Sequence, residues 1–196
     1  MDLALTFRPE KGYFDLALST TGQPETTDTL ATWIIRSLFT DARALPDEEL
    51  PNSHNPDADT WRRGTWFDAV PMVAGDKYGS KLWLLNREIT SPETLNRAQN
   101  YCEDALAWLV RDGVAKRVQV YCEYVQKAPT GILGILVVAE RPTAPGSEAY
   151  FYVWDQIRAQ TMADPDQYLA TFNNTLTIET GAQLISEDGV YHFVTE

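Results

Sequence analysis

The sequence predicts an α+β fold: an N-terminal β-hairpin, two main helices packed on a small antiparallel sheet, and a C-terminal β-rich extension. Three observations carry this. Residues 3–18 form two alternating apolar and polar runs around a Pro/Gly turn, the pattern of a hairpin. Residues 92–110 hold apolar side chains at helical spacing between a capped start and a glycine stop. Residues 117–125 and 131–140 are rich in β-branched and aromatic residues, with a turn-like break at 127–130. The expected division is a main domain over 1–155 and an acidic extension over 156–196.

In the hairpin, Leu3, Leu5 and Phe7 alternate with Ala4 and Thr6, and Arg8-Pro9-Glu10-Lys11-Gly12 makes the turn. Thr27 or Asp28 would cap a first helix whose apolar face is Leu30, Trp33, Ile34 and Leu38, ending near Phe39-Thr40. Residues 45–60 hold three prolines and five acidic residues and read as a long exposed loop. Residues 79–85 read as a short helix. Thr90-Ser91-Pro92-Glu93 is a strong helix start, with a cap, a first-turn proline and a carboxylate at the positive end. Leu95, Ala98, Cys102, Ala105, Leu106 and Leu109 form the buried stripe, and Gly113 supplies the stop. Residues 150–154 are a third antiparallel strand or, alternatively, the start of a helix over 150–162. In the extension, 167–172 read as a short helix. Residues 176–178, 183–185 and 190–194 read as strands, with a turn at Asp188-Gly189.

Composition narrows the function. With 196 residues, 44% of them hydrophobic, the chain can bury one substantial core. Its net charge of −12 argues against nucleic acid, which needs uncompensated cations, and against an anionic membrane surface. From Pro142 onward there are eight acidic residues and one basic residue, Arg158, which marks a peripheral appendage suited to a basic neighbouring surface. The longest apolar run, Ile132 to Ala139, is far short of the roughly 20 residues a membrane span needs. The start Met1-Asp2-Leu3 has no basic segment of the secretory kind, so a cytoplasmic setting is expected. Cys102 and Cys122 are then free thiols acting as small core hydrophobes.

Catalytic patterns are missing. His54 and His192 have no metal-ligand partners at suitable spacing, and no cofactor motif is present. The carboxylates Asp47, Glu48, Glu49, Asp57 and Asp59 sit in a stretch that reads as exposed, where their acidity stays ordinary. A non-enzymatic protein is expected. Trp61-Arg62-Arg63-Gly64-Thr65-Trp66-Phe67 divides into a core latch, Trp66 and Phe67, and a contact surface, Arg62 and Arg63. Two other readings are a hydrolase acting through Glu48 or Glu49, and a ligand- or carbohydrate-binding module using Trp61, Trp66, Tyr150, Tyr152 and Trp154.

The order of segments carries a resemblance. It runs from the hairpin through Ser37-Leu38-Phe39-Thr40-Asp41-Ala42-Arg43-Ala44 and the acidic loop to Arg62-Arg63-Gly64-Thr65-Trp66. Gly79-Ser80-Lys81-Leu82-Trp83-Leu84-Leu85 follows, and then Ala105-Leu106-Ala107-Trp108-Leu109-Val110 with Asp112-Gly113. Over roughly residues 1–155 the chain resembles the baseplate wedge protein family of Mu-like contractile-tailed phages. That family is similar to the sheath-initiator wedge proteins of other contractile tails and to a baseplate component of type VI secretion. The resemblance implies a structural subunit of the virion tail baseplate, assembled in the bacterial host cytoplasm. Six copies would surround the tube, contacting other wedge proteins, hub or tube proteins and the tail sheath, with no nucleic acid or membrane partner. Related proteins carry a Glu-Pro-Arg triplet after the long helix that helps hold sheath. Here the place reads Ala115-Lys116-Arg117-Val118, and only Arg117 matches. The expected partner-binding residues are Arg117, Lys116, Arg62, Arg63 and Arg43. An exposed strand edge in 117–140 would serve such contacts through main-chain pairing, which needs no catalytic residue.

Overall fold

The computed structural model describes residues 2–8, 13–27, 30–51, 62–65, 77–86, 88–126, 131–143, 146–155, 160–161, 182–187 and 190–195. The chain opens with β1 (Asp2–Leu3), β2 (Leu5–Arg8), β3 (Tyr13–Leu16) and β4 (Thr26–Thr27). Helix α1 (Ala31–Phe39), a short 3₁₀ turn η1 (Leu82–Leu85) and helix α2 (Pro92–Arg111) follow. Then come β5 (Arg117–Gln126), β6 (Ile132–Glu140), β7 (Ser147–Asp155), β8 (Gln160–Thr161), β9 (Ala182–Glu187) and β10 (Val190–Thr195). The fold is α+β.

The N-terminal hairpin forms as its alternation requires, with β2 and β3 antiparallel from Leu5–Leu16 to Arg8–Tyr13. Strand β1 pairs instead with β4. That pairing corrects the start of α1. Thr27 lies in a strand, and the helix begins at Ala31 with Leu30 at the cap position and no side-chain cap. One long-range bond takes the cap's place, and a second ties the first helical turn to β1. The Leu30 N–H donates to the Tyr150 hydroxyl (2.9 Å), and the Thr32 hydroxyl donates to the Leu3 carbonyl (2.7 Å). Satisfying an orphan helix N–H from another element lets the local capping residues be used elsewhere. The Tyr150 hydroxyl in turn donates to the Glu148 carboxylate, which pairs with Arg141 (2.8 Å). Burial, followed by that hydrogen bond to Glu148, pushes the Tyr150 phenol well up.

Helix α2 starts as its sequence dictates. The Ser91 side chain accepts from the Thr94 N–H (3.2 Å), with Pro92 and Glu93 in the first turn. The Glu93 carboxyl is held below its ordinary value by its own backbone N–H and by Ser91. Beyond the end, Gly113 takes φ +73°. Helices α1 and α2 meet through Trp33 and Trp108, whose rings lie edge to face at 5.6 Å, and the Trp108 indole donates to the Ser37 hydroxyl (3.0 Å).

Strands β5, β6 and β7 form an antiparallel centre, so 150–154 is strand and the competing helix is excluded. The register sorts side chains into rows. Val120–Val137–Tyr150, Cys122–Ile135–Tyr152 and Tyr124–Leu133–Trp154 face the two helices. Leu136, Val138, Phe151 and Val153 form a second buried cluster. Strand β6 is therefore buried on both faces, which is what its unbroken apolar run encodes. The pair β9–β10 joins the same sheet, since Tyr191 pairs with Ala149 of β7. The expected helix at 167–172, strand at 176–178 and turns at 127–130 and 188–189 lie outside the described residues.

Cys102 and Cys122 are both free and buried, facing each other between α2 and β5. The hydrogen bond between them, and then burial, hold the Cys122 thiol well above its ordinary value. No helix among the described residues is long and apolar enough to cross a membrane.

Tyr124 gives a pH prediction. Burial, then Glu88 and neighbouring groups, push its phenol from 10.0 up to about 12. The folded chain thus keeps a proton that the unfolded chain releases. Its stabilising effect is complete below about pH 10 and is lost as pH rises from there toward 12. Urea midpoints should fall steeply across that window, and Tyr124→Phe should make the fall shallower.

Candidate functional site

The first surface is built where α1 ends. Gly79, at φ +89°, brings the chain against the Thr40 carbonyl so closely that an added Cβ would sit 2.4 Å from its oxygen. Asp41 and Ser80 then pair as a parallel bridge. The Ser80 N–H donates to the Thr40 carbonyl and the Ala42 N–H to the Ser80 carbonyl, each at 2.8 Å. The Ser80 hydroxyl donates to the Leu38 carbonyl (2.5 Å), satisfying an orphan of the last helical turn. The Trp83 indole donates to the Ala42 carbonyl (2.8 Å).

Residues 45–51 are loop, as expected, with Leu45, Pro46, Asp47 and Glu49 exposed, but Leu50 folds this stretch onto the latch. Leu50 is 6% exposed and packs with Ala44, Trp83 and Leu84. The Arg62 guanidinium donates to the carbonyls of Leu45, Pro46 (3.0 Å) and Glu48 (3.1 Å). Glu48 accepts from the Leu45 N–H (2.7 Å) and from the Lys81 ammonium (2.6 Å). A glutamate held this way is part of a fastening, and Glu49 beside it is exposed. Arg63 sits at φ +50°, unusual for a non-glycine residue. Its guanidinium pairs with Asp41 (2.6 Å) and lies over the Trp83 ring at 4.6 Å, contacts that hold the backbone there.

Beside the latch opens a cleft of about 490 Å³, with Arg43, Lys77, Tyr78, Lys81, Tyr101 and Asp104 among its lining. Each tyrosine is set by an arginine from a helix. Arg36 of α1 donates to the Tyr78 hydroxyl (2.8 Å), and Arg97 of α2 donates to the Tyr101 hydroxyl (3.3 Å).

The second surface is the free side of β5, which among the described strands pairs with β6 alone. Every second N–H and C=O of such an edge points away from the sheet. Lys116 and Arg117 stand at its start, 74% and 58% exposed, sharing Glu140 at 3.9 and 4.0 Å. The expected contact residues thus fall into two groups. Arg43, Arg62 and Arg63 gather at the latch, and Lys116 and Arg117 mark the β5 edge. Among the described residues no ion pair or hydrogen bond joins the groups.

Residues 30–145 match the family model described as phage protein GP46. The chain belongs to that family. It is similar to "Baseplate protein gp46" of Escherichia phage Mu, 41% identical over 102 residues that cover 52% of this chain and 65% of the relative. It is also similar to "Mu-like prophage FluMu protein gp46" of Haemophilus influenzae, 42% identical over 137 residues covering 70% of this chain and 86% of the relative. The latch, the cleft and the β5 edge all lie inside the stretch that matches the family.

Three of the aromatics considered for ligand binding are occupied in the interior. Trp154 is buried, Tyr152 meets Phe39 edge to face at 5.4 Å, and the Tyr150 hydroxyl is bonded as above. Trp61, Trp66, Phe67 and His54 lie outside the described residues, and of His192 only the strand backbone is described. Among the described residues no group of three His, Cys, Asp or Glu could hold a metal ion. Lys77, Tyr78 and Tyr101 are cleft residues that no local pattern marks. The signal was Gly79, whose need for a left-handed conformation and close approach reads as an ordinary turn in sequence.

Substitutions at Gly79 and Arg62 test the latch, with Gly113→Ala, at the end of α2, as the reference for a left-handed glycine. Gly113→Ala, at φ +73° with open space around it, should destabilise by about 1 kcal/mol in urea titrations. Gly79→Ala, strained and blocked by backbone, should lose ~3 kcal/mol or more. Arg62→Lys should behave almost like Arg62→Ala, because a compact ammonium cannot span the carbonyls of Leu45, Pro46 and Glu48. Each should destabilise by about 2 kcal/mol and speed amide exchange at Leu45 and Glu48.

Proposed function

We propose that this chain is a structural, non-enzymatic subunit of a phage tail baseplate. The observation that carries the reading is its membership of the GP46 family together with the phage Mu relative, itself named a baseplate protein. In finer terms, the chain is an inner wedge component present in six copies around the tube. It joins other wedge and hub proteins and helps initiate the sheath, and it is assembled in the host cytoplasm. Residues 1–155 are the wedge domain, and 156–196 form an acidic extension that meets a basic neighbour. The function needs no cofactor.

The mechanism is main-chain pairing at a sheet edge. The ten residues of β5 offer a row of backbone donors and acceptors, and Lys116 and Arg117 at its start orient an incoming acidic strand. Glu140 neutralises part of that charge, so the backbone supplies most of the affinity and the two cations the register. Repetition around a ring multiplies a modest contact through effective concentration.

Cross-linking mass spectrometry on purified contractile tails tests the reading. The chain should be present in intact particles, with Lys116 linked to the sheath protein and Lys81 to other baseplate chains. Its absence from intact particles would sink the assembly role. Its presence with Lys116 linked elsewhere would remove the sheath contact and leave the baseplate role standing.

A further inference from the structure

The cleft beside the latch is a local exception to the chain's charge. Against a net charge of −12, its wall carries Arg43, Arg62, Lys77 and Lys81 with a single carboxylate, Asp104. Two of these cations are already engaged: Arg62 binds three main-chain carbonyls and Lys81 binds Glu48. Arg43 and Lys77 are exposed and, among the described residues, have no hydrogen-bond or ion-pair partner. The buried part of the lining is Ala42, Ala44, Ser80 and Ala105, and the rings of Tyr78 and Tyr101 are held in place by arginines.

We propose that this cleft is a docking site for an acidic segment of a neighbouring tail protein. Its carboxylates would meet Arg43 and Lys77 at the rim, and an apolar or aromatic side chain would enter between the tyrosines. The proposal rests on the baseplate reading for the existence of a protein neighbour. It commits to a peptide segment because of where the charge lies. A small free anion is held by donors that converge inside a pocket. Here Arg62 and Lys81 are occupied, and the open cations Arg43 and Lys77 are exposed around small buried residues, three of them alanines, the arrangement of a polar rim on an anchor site. Rings fixed before binding lose little freedom on contact, which favours affinity. The local positive charge steers an acidic segment to a chain that otherwise repels it.

A zero-length carbodiimide joins an amine to a carboxylate only when the two are in salt-bridge contact. Applied to intact tails, it should join Lys77 to an Asp or Glu of another tail protein. Lys77→Arg should abolish that link, because a guanidinium forms no amide under carbodiimide. The pair Arg43→Ser and Lys77→Ser should lower incorporation roughly tenfold while circular dichroism and the urea midpoint of the free protein stay as in the parent. Neither residue holds the fold together, so the variant reads docking alone. The inference is overturned if the chain is present in tails while Lys77 stays unlinked and open to amine reagents. It is also overturned if the double variant incorporates like the parent. Both results leave the baseplate reading intact. Absence of the chain from tails overturns both.

Discussion

One close approach organises the latch after α1 and the cleft beside it. Gly79 has no Cβ, and only for that reason can residues 79–81 lie against the Thr40 carbonyl and pair with Asp41. The approach stops α1, because Ser80 takes up the Leu38 carbonyl and the chain leaves the helix in extended form. It also delivers Trp83 to Ala42 and Lys81 to Glu48, which bring residues 45–51 down onto η1. Remove it and the cleft loses one wall and its floor together. The central sheet would stand without it, since β5, β6 and β7 are held by their own ladder and by the packing of α1 and α2. The site is thus an annex on a self-sufficient core, joined to it by a few hydrogen bonds.

Arginine does two kinds of work in this annex. Arg62 and Arg63 are half-buried and use a planar, many-donor head to gather carbonyls and to stack on an indole, tasks a lysine performs poorly. Arg36 and Arg97 fix tyrosines from the helices. Arg43 is the exception, with its charge turned to solvent. Being basic and near a candidate surface therefore does not sort these residues. What sorts them is whether a main-chain carbonyl or a carboxylate of the same chain lies within reach, and only a folded structure answers that.

This is also where the sequence was and was not legible. The stripe of α2, its Ser91-Pro92-Glu93 start and the strands of the central sheet follow from local chemistry, and the structure realises them as local chemistry demands. The run from Ile132 to Ala139 was legible as a strand, and the structure adds that it is buried on both faces. The start of α1 was misleading because two good capping residues precede it, yet Thr27 pairs with Asp2 and a tyrosine 120 positions away takes the cap's role. Residues 45–51 are loop as read, but one leucine among prolines and carboxylates carries no sign of its burial. Leu50 is buried nonetheless, since Trp83 and Leu84 present it with a pocket. Of the candidate site, the arginines could be read as important and their partners could not. Lys77, Tyr78 and Tyr101 come together only through the Gly79 contact.

The reach of the family model bears on which surfaces matter. It begins at residue 30, the cap position of α1, and ends at 145, just before β7. Inside it lie the latch, the cleft and the whole β5 edge. Outside it lie the N-terminal strand pairs and the β9–β10 hairpin that extends the sheet beyond β7. A sheet that grows at its β7 side while its β5 side stays free is asymmetric in a useful way. The β7 side is occupied by β10. The other side keeps an unpaired backbone row flanked by two cations, a feature that costs little to hold and that main-chain pairing can use without any particular side chain. The proposed assembly contact rests on that free edge, inside the stretch the family model covers.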